Sequence, residues 1–262
     1  MSDFGVYQAG SSLMHRLDPR SKMLGVLLFM IGAFLAQDAL GFLVLCAASL
    51  GILAASGVSA PQTLRSLKPF AGLIVFVFVF DCLCVVGGEI WWQAGSIGLS
   101  SEGLHFACES AVRFVCILLA TSVLMRTTSP TELTDATALL CSPLKHIGVK
   151  VDDLALGLGM ALRFIPSFSE KLQRIRKAQV ARGADFSTRD ASPAKLVQAQ
   201  IPTITALFTS AFHRSETLSL AIANREYGVT SDRTCFRGYK LGPNDMAALA
   251  LGAAFLFLCA LL

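Results

Sequence analysis

The chain has 262 residues, of which 54% are hydrophobic and only 15% charged, and its mean hydropathy is +0.61. Soluble globular domains of this length carry more charge, so the composition excludes that class and favours a protein that crosses the membrane several times. A net charge of +4 would be compatible with nucleic-acid binding in a soluble protein. No nucleic acid is expected as a partner here, because membrane topology accounts for the distribution of the cations.

Five apolar runs are candidates for membrane-spanning helices, because crossing a hydrocarbon layer of about 30 Å takes roughly 17 to 25 helical residues. Just before the first run, Asp18 and Pro19 are typical of a helix N-cap followed by proline at the first helical position. The first two runs are short, and only Gln37 and Asp38 separate them. We predict an all-α, polytopic membrane protein with about five transmembrane helices, formed by residues 23–37, 39–55, 69–86, 103–125 and 246–262.

The lysines and arginines lie on one side of this predicted topology. All but one of the 22 precede the first span, lie between the second and third, or lie between the fourth and fifth. The loops on the other side hold none, and the longer of them, residues 87–102, carries Trp91 and Trp92, which suit a membrane interface. Because cationic loops stay in the cytoplasm, we predict a cytoplasmic N-terminus and an external C-terminus in the plasma membrane of a prokaryote.

Three ionisable residues lie inside the predicted spans, where burying a charge costs about 2.5 to 3.5 kcal/mol and therefore suggests a function. Asp81 lies near the external end of the third span and can reach water from there. Glu109 and Arg113 are four residues apart in the fourth span, in the order that favours an ion pair on one helix face. Either they pair with each other, or they take part in docking a partner or in gating.

About 120 residues separate the fourth and fifth spans, which is too many for a simple connection. This segment opens with a predicted helix in which Ser129 and Glu132 form a capping box and Pro130 is the first helical residue. We divide the chain into a membrane region of four spans (1–125), a cytosolic or interfacial helical region (126–242) and a C-terminal transmembrane helix (243–262).

Two longer helices are predicted in the middle region. An apolar stretch from Asp152 to Pro166 is too short to cross the membrane and is expected to lie flush with it or against a partner. A charged helix follows Pro166. A polar loop at residues 186–193 separates it from a second long helix, whose apolar seam starts after Pro202. Steps of three and four residues mark an apolar stripe on each: Phe164, Phe168, Leu172, Ile175 and Gln179 on the first, and Ile204, Phe208, Ala211, Ser215, Leu218 and Ile222 on the second.

An arginine continues each stripe at its C-terminal end, Arg182 on the first helix and Arg225 on the second. Gly183 and Gly228 then supply residues at which the helices can end. One interpretation is that both arginines are solvated cations that favour the helix dipole by about 0.3 to 1 kcal/mol. The other is that each guanidinium docks into a partner's groove with apolar walls and a carboxylate at its end, where its planar fork binds in bidentate fashion.

Motifs for catalysis or for a metal are not found in the sequence. No GxxxxGK[ST] loop occurs, so we do not expect this chain to hydrolyse ATP. The eight cysteines and four histidines include no CxxC pair and no cluster with metal-ligand spacing, so no metal site is predicted. A polytopic membrane enzyme, such as a lipid-modifying transferase, would need clustered acid, base or metal-binding residues and is the weaker alternative.

Several motifs, taken as a set, resemble the transmembrane T component of energy-coupling factor transporters, a branch of the ABC-type uptake systems. The resemblance runs through most of the chain. It is carried by HRLDPRSKML at 15–24, LTDATALLCSPLKHIGV at 133–149, ALRFIP at 161–166, KAQVARGADF at 177–186 and SAFHRSETLSLAIANREYG at 210–228. The set is specific, whereas Ala-Arg-Gly alone occurs by chance in many proteins.

The resemblance implies two long cytosolic coupling helices that each dock one of two ABC-type ATPase subunits through an arginine. By position, the docking motifs are Ala181, Arg182 and Gly183, and Asn224, Arg225 and Glu226. ATP and Mg²⁺ would bind to the ATPase partners, so this chain is expected to be a non-catalytic subunit without a cofactor. A membrane-embedded S component would capture the vitamin or other micronutrient and receive the ATP-driven motion. The intramembrane candidates for contact with it are Asp81, Glu109 and Arg113.

The second docking motif departs from the family pattern, since Asn224 and Glu226 replace the usual alanine and glycine. Glu226 would either repel an acidic groove or pair with a basic residue in it. The stretches at 143–149 and 161–166 resemble T components that are shared among many S components. The alternative is a T component dedicated to one S component, for cobalt, nickel or biotin. A conventional ABC importer permease would instead contact its ATPases through one short coupling helix per chain.

Overall fold

The computed structural model describes residues 7, 8, 10, 12–36, 38–84, 87, 89–94, 97–148, 150–184, 193–227 and 242–261. In chain order its helices are α1 Leu13–Arg16, α2 Pro19–Leu35, α3 Ala39–Ser56, α4 Ala60–Leu67, α5 Ala71–Cys84, α6 Ser101–Thr127, α7 Pro130–Leu140, α8 Val151–Ala181, α9 Pro193–Ala223 and α10 Pro243–Leu261. Short 3-10 helices lie at Lys68–Phe70 and Ser142–Ile147. The chain forms two compact units: Met1–Asp152 together with Tyr239–Leu262, and Asp153–Gly238.

Four apolar helical segments of the described residues are long enough to cross a membrane: Ala39–Ser56, Pro61–Cys84, Ser101–Thr127 and Pro243–Leu261. The prediction of an all-α, multi-pass membrane protein is therefore confirmed. Helix α2 has 17 residues, fewer than any of these four segments. Because this length is at the lower limit for crossing a bilayer, the fifth span stays a prediction.

Small residues let α2 and α10 pack closely and in parallel. A Cβ atom added at Gly32 would come within 2.5 Å of the Phe255 ring, so a larger residue would force these helices apart. The Phe255 ring stacks on Phe29 of α2 at a centroid distance of 5.3 Å. The buried cluster around Phe29 contains Ala33, Leu45, Cys116 and Ala120 from α2, α3 and α6. Because lipid is as apolar as these side chains, tight packing rather than escape from water holds such helices together.

The N-terminal ends of α2 and α10 are joined by a buried carboxylate. Asp18 caps α2 by accepting the Arg20 N–H at 2.9 Å, and Pro19 is the first helical residue, as predicted. The Asp245 carboxylate at the start of α10 accepts the Asp18 N–H at 2.7 Å and the Ser21 hydroxyl at 2.8 Å. One side chain therefore satisfies donors at the start of two helices.

Two buried cations extend this set of contacts to α4 and α6. The Lys22 ammonium donates to the Thr127 carbonyl at 3.2 Å. The Arg126 guanidinium donates to the Gln62 carbonyl at 3.1 Å and to the Ser66 hydroxyl at 2.6 Å. Lys22 is 7% exposed and Arg126 is 5% exposed, so both cations depend on these partners. We call the set Asp18, Ser21, Lys22, Arg126 and Asp245 the polar layer.

The predicted ion pair between Glu109 and Arg113 is wrong. Arg113 donates from Nε to the Ala33 carbonyl at 2.8 Å and from Nη2 to the Ala36 carbonyl at 2.9 Å, at the C-terminal end of α2. Glu109 instead lies 3.1 Å from Nδ1 of His105 on the preceding turn. The last carbonyls of a helix lack partners, and a membrane interior offers no water to satisfy them, so the arginine is drawn to α2.

Helices α8 and α9, with 31 residues each, continue through internal prolines. Pro166 lies inside α8, so the predicted start of a charged helix after Pro166 is wrong. Pro202 lies inside α9, which begins at Pro193, where the predicted polar loop ends. The predicted start of a helix at Asp152 is close, since α8 begins at Val151. A proline removes one backbone hydrogen bond and bends a helix, but it does not end one whose turns continue on both sides. The predicted capping box of Ser129 and Glu132 is confirmed at the start of α7.

The loop predicted between the third and fourth spans contains a hairpin that the sequence analysis misses. Strands β1 (Ile90–Ala94) and β2 (Ile97–Ser100) are antiparallel, with Gln93 opposite Gly98. Ser100 then caps α6 by accepting the Gly103 N–H at 3.0 Å. The hairpin therefore leads directly into a capped helix start.

Replacing Arg113 tests its role at the end of α2. Arg113→Met removes both hydrogen bonds while it keeps a long apolar stem. Because hydrogen bonds to a charged group contribute about 1.5 to 3 kcal/mol, we expect stability to fall by about 2 kcal/mol, measured as a lower thermal midpoint in detergent. Glu109→Gln is the control and should leave the midpoint unchanged. An equal fall of the midpoint in both variants would instead support an ion pair between Glu109 and Arg113.

Candidate functional site

Helix α8 ends at Ala181, and Arg182 follows it as the C-cap of a Schellman motif. The Ala184 N–H donates to the Gln179 carbonyl at 2.9 Å across the end of the helix. Gly183 has a φ of +88°, the left-handed conformation that glycine adopts without strain, so the predicted end of the helix at Gly183 is confirmed. Ala181, Arg182 and Gly183 are exposed. The arginine is thus the last residue before the chain turns away from the helix axis.

Helix α9 ends at Ala223, and the turn after it closes in the same way around Arg225, although no glycine occupies this turn. The Tyr227 N–H donates to the Ile222 carbonyl at 3.3 Å, the equivalent of the bond that closes α8. Glu226 takes the left-handed position with a φ of +56°, which costs a residue with a Cβ atom roughly 1 to 2 kcal/mol. The helix therefore turns before Gly228, the predicted stop, which lies outside the described residues. Asn224, Arg225 and Glu226 are exposed.

Helices α8 and α9 run antiparallel, and their contacts fix where the two arginines lie. The Tyr227 hydroxyl donates to Asp153 at 3.3 Å, Arg214 donates to the Ser167 hydroxyl at 2.9 Å, and Lys171 donates to the Ser210 hydroxyl. Arg225 therefore lies where α8 begins, and Arg182 lies at the opposite end of the pair. The stretch of α8 between these ends is about 40 Å long at 1.5 Å per residue.

A cation–aromatic contact connects the two helices between their ends. The Arg214 guanidinium of α9 lies 4.3 Å from the Phe164 ring centroid and 5.9 Å from that of Phe168. The two rings belong to the predicted stripe of α8 and pack edge to face at 6.3 Å. The sequence analysis misses this contact of Arg214, because its partners lie on another helix and follow from no local spacing.

Only part of the apolar stripe predicted on α9 is half-buried, and the rest is exposed. Leu218 and Ile222 are half-buried, but Ile204 is 49% exposed and Phe208 is 60% exposed. The contacts of Arg214 and Ser210 turn the middle of α9 so that Ile204 and Phe208 face outward. An uncovered apolar stripe of α9 results, which consists of Val197, Ile201, Ile204, Phe208 and Phe212.

Two of the three intramembrane candidates, Glu109 and Arg113, contact other residues of this chain. Arg113 is bound to α2 and Glu109 to His105, as described above, and Asp81 is half-buried near the C-terminal end of α5. Within the described ranges, no group of three or more His, Cys, Asp or Glu side chains could hold a metal ion. The exposed arginine ends of α8 and α9 are therefore the candidate site that the structure presents most clearly.

These features define a helical, multi-pass membrane protein with a pair of long antiparallel helices. The family model for CbiQ, described as a cobalt transport protein, matches residues 10–234. The energy-coupling factor transporter transmembrane protein EcfT of Bacillus subtilis is 36% identical over 257 residues, which are 97% of this chain and 96% of that protein. EcfT of Lactococcus lactis is 37% identical over 241 residues, 92% and 90% of the two chains. EcfT of Brevibacillus brevis is 39% identical over 223 residues, 85% and 83% of the two chains.

The chain therefore belongs to the CbiQ/EcfT family of transmembrane components of energy-coupling factor transporters. The resemblance drawn from the sequence motifs is confirmed.

The left-handed conformation of Glu226 predicts that Glu226→Gly and Gly183→Glu have opposite effects on the stability of the two helix ends. Glu226→Gly should stabilise the last turn of α9 by about 1 kcal/mol, because glycine adopts this φ without strain. The matched variant Gly183→Glu should loosen the last turn of α8 by a similar amount. Hydrogen exchange followed by mass spectrometry should show roughly fivefold slower exchange for the α9 end and faster exchange for the α8 end. Unchanged exchange at both ends would contradict the assigned backbone conformations.

Proposed function

We propose that this chain is the energy-coupling subunit of an energy-coupling factor transporter, in which Arg182 docks one ATPase subunit and Arg225 docks the other. The proposal depends on one observation: two exposed arginines occupy equivalent positions of two equivalent helix ends, roughly 40 Å apart along the pair. A separation of this size suits one contact with each of two subunits better than two contacts with one groove.

The two helix ends differ in charge, which favours two different sockets. Arg176 and Lys177 precede Arg182 in the last two turns of α8, so this end is cationic and suits an acidic groove. At the α9 end, Glu226 follows Arg225 directly and lowers the local charge. We infer that the socket for Arg225 is less acidic or contains a basic residue that pairs with Glu226.

In this proposal the chain has no catalytic role. ATP and Mg²⁺ bind to the ATPase partners, and ATP-driven closure of these partners moves α8 and α9. The moving helices act on a membrane-embedded S component that binds a vitamin or another micronutrient. The exposed apolar stripe of α9 supports a hydrophobic partner, because the helices of its own unit leave residues such as Phe208 and Phe212 exposed. The N-terminus, α8 and α9 would lie on the cytoplasmic side and the C-terminus outside.

The motifs at 143–149 and 161–166 support a T component that is shared among several S components. A dedicated T component would form a complex with one S component only. Co-expression with several S components from the same genome distinguishes the two cases.

Charge reversal of both arginines tests the proposal. Arg182→Glu combined with Arg225→Glu should abolish co-purification of the ATPase subunits, because a carboxylate cannot donate to a carboxylate and would repel it. Each single variant should weaken the contact with one ATPase. The measurement is the yield of the complex on gel filtration after co-expression with the ATPase subunits of the same organism.

A matched control separates docking from a general effect of charge. Arg174→Glu changes the charge of α8 by the same amount at an exposed position eight residues earlier, where Arg174 lies 3.6 Å from Glu170. This variant should keep most of the complex. A normal yield with the double variant, or an equal loss with Arg174→Glu, would count against specific docking by Arg182 and Arg225.

A further inference from the structure

A partly open cavity of about 460 Å³ lies among α2, α3, α6 and α10 in the first unit. This volume is in the range of small-molecule sites in proteins. Apolar atoms form almost all of its wall. Ser21, Lys22 and Thr127 form its polar end, and Phe29 and Phe255 lie farther along the helices.

The cavity follows the helices for most of the depth of one membrane leaflet. Its lining on α2 runs from Ser21 to Phe29, and its lining on α10 from Ala248 to Phe255. These stretches are about 10 to 12 Å long at 1.5 Å per residue, and one leaflet of the hydrocarbon layer is about 15 Å deep. The shape therefore suits a slender apolar ligand that lies along the bilayer normal.

Two glycines keep this space open. A Cβ atom added at Gly25 or at Gly51 would have no atom of the described chain within 4 Å, apart from its own neighbours. Glycine in a membrane helix commonly lets another helix approach, as Gly32 does here beneath Phe255. Gly51 lines the cavity without such an approach. Gly25 lies beside Gly252 of α10, but the direction of its own Cβ stays open. Both positions leave room for something other than a side chain of this unit.

The polar end of the cavity offers hydrogen-bond donors. Among the described residues, the buried Lys22 ammonium donates to the Thr127 carbonyl, which leaves two of its N–H groups without a partner. Three carboxylates, those of Asp18, Glu132 and Asp245, act on Lys22 electrostatically. A further full negative charge would be repelled by them, whereas a neutral carbonyl oxygen can accept from Lys22 without this repulsion.

We propose that this cavity binds one acyl chain of a membrane glycerolipid, with the ester carbonyl of the lipid at Lys22 and the chain extending past Gly25 and Gly51 towards Phe29. The bound lipid fills an apolar space that the helices of this unit leave open and joins α2, α3, α6 and α10. The site is independent of docking by the two arginine ends, and its test involves neither of them.

Filling the cavity tests the proposal. The purified full chain is exchanged into dioleoylphosphatidylcholine, and retained lipid is counted by native mass spectrometry. We expect one tightly retained lipid per wild-type chain and loss of most of it in Gly51→Leu and in Gly25→Leu, whose new side chains occupy the cavity. Gly72→Leu is the matched control, because Gly72 of α5 also has open space around it but does not line the cavity. It should retain lipid as the wild type does.

The ester carbonyl is tested separately with the diether analogue of the same lipid. The wild-type chain should retain the ester lipid in preference to the diether lipid, and Lys22→Met should lose this preference. Should Lys22→Met fail to fold, the comparison of the two lipids on the wild-type chain still tests the contact. Equal retention of both lipids by the wild type would overturn the assignment of Lys22.

Two further results would overturn the proposal as a whole. Equal lipid retention by Gly51→Leu and the wild type would show that the retained lipid binds elsewhere. If Gly51→Leu instead lowers the yield of the complex with partner subunits and leaves lipid retention unchanged, a partner's side chain occupies the cavity.

Discussion

The carboxylate of Asp245 is the contact on which the arrangement of the first unit depends. It accepts the N–H of Asp18 and the hydroxyl of Ser21 at the start of α2, and also the N–H of Gly242 at the start of its own helix, at 2.8 Å. The first turns of both helices carry free N–H groups and the positive end of a helix dipole. Because α2 and α10 are parallel, these positive ends lie side by side and repel each other. One buried carboxylate offsets this repulsion and connects α10 to α2.

In the first unit, hydrogen bonds satisfy the polar groups at the helix ends, and tight packing holds the helices together along their length. Lys22 and Arg126 connect α2, α6 and α4 at the end where the helices start or finish. Farther along, Gly32 and Phe255 bring α2 and α10 together, where no polar contact is needed. The cavity begins beside Lys22, between these two regions. Its apolar wall encloses a part of this interface that the described chain leaves unfilled.

In the second unit, side chains such as Arg214 and Tyr227 hold two long helices antiparallel to each other. Each helix is followed by an arginine on a hydrogen-bonded turn. The strained Glu226 has a consequence for the second end. Its turn costs more to form than the turn at Gly183, and its carboxylate changes what the neighbouring arginine can bind.

Local patterns in the sequence were sufficient for several features because the physical cause is itself local. The Asp18 cap, the capping box of Ser129 and Glu132 and the turn at Gly183 each involve residues a few positions apart. The apolar runs predicted the all-α membrane class for a similar reason, since a helix satisfies its own backbone whatever surrounds it. The set of motifs also identified the family. The docking roles of Arg182 and Arg225 stay predictions, because they concern partners outside the chain.

Tertiary structure decided the features whose partners are distant in the chain. Spacing alone paired Glu109 with Arg113, but the unsatisfied carbonyls at the end of α2 compete for the arginine and lie some 80 positions away. The helices run through Pro166 and Pro202 because their turns on both sides outweigh one lost hydrogen bond. The left-handed turn at Glu226 contradicts the preference of its residue type. For Arg113 the deciding energy comes from carbonyls that only folding brings to it, so the amino-acid sequence determines the class and the caps, and the fold determines which polar groups meet.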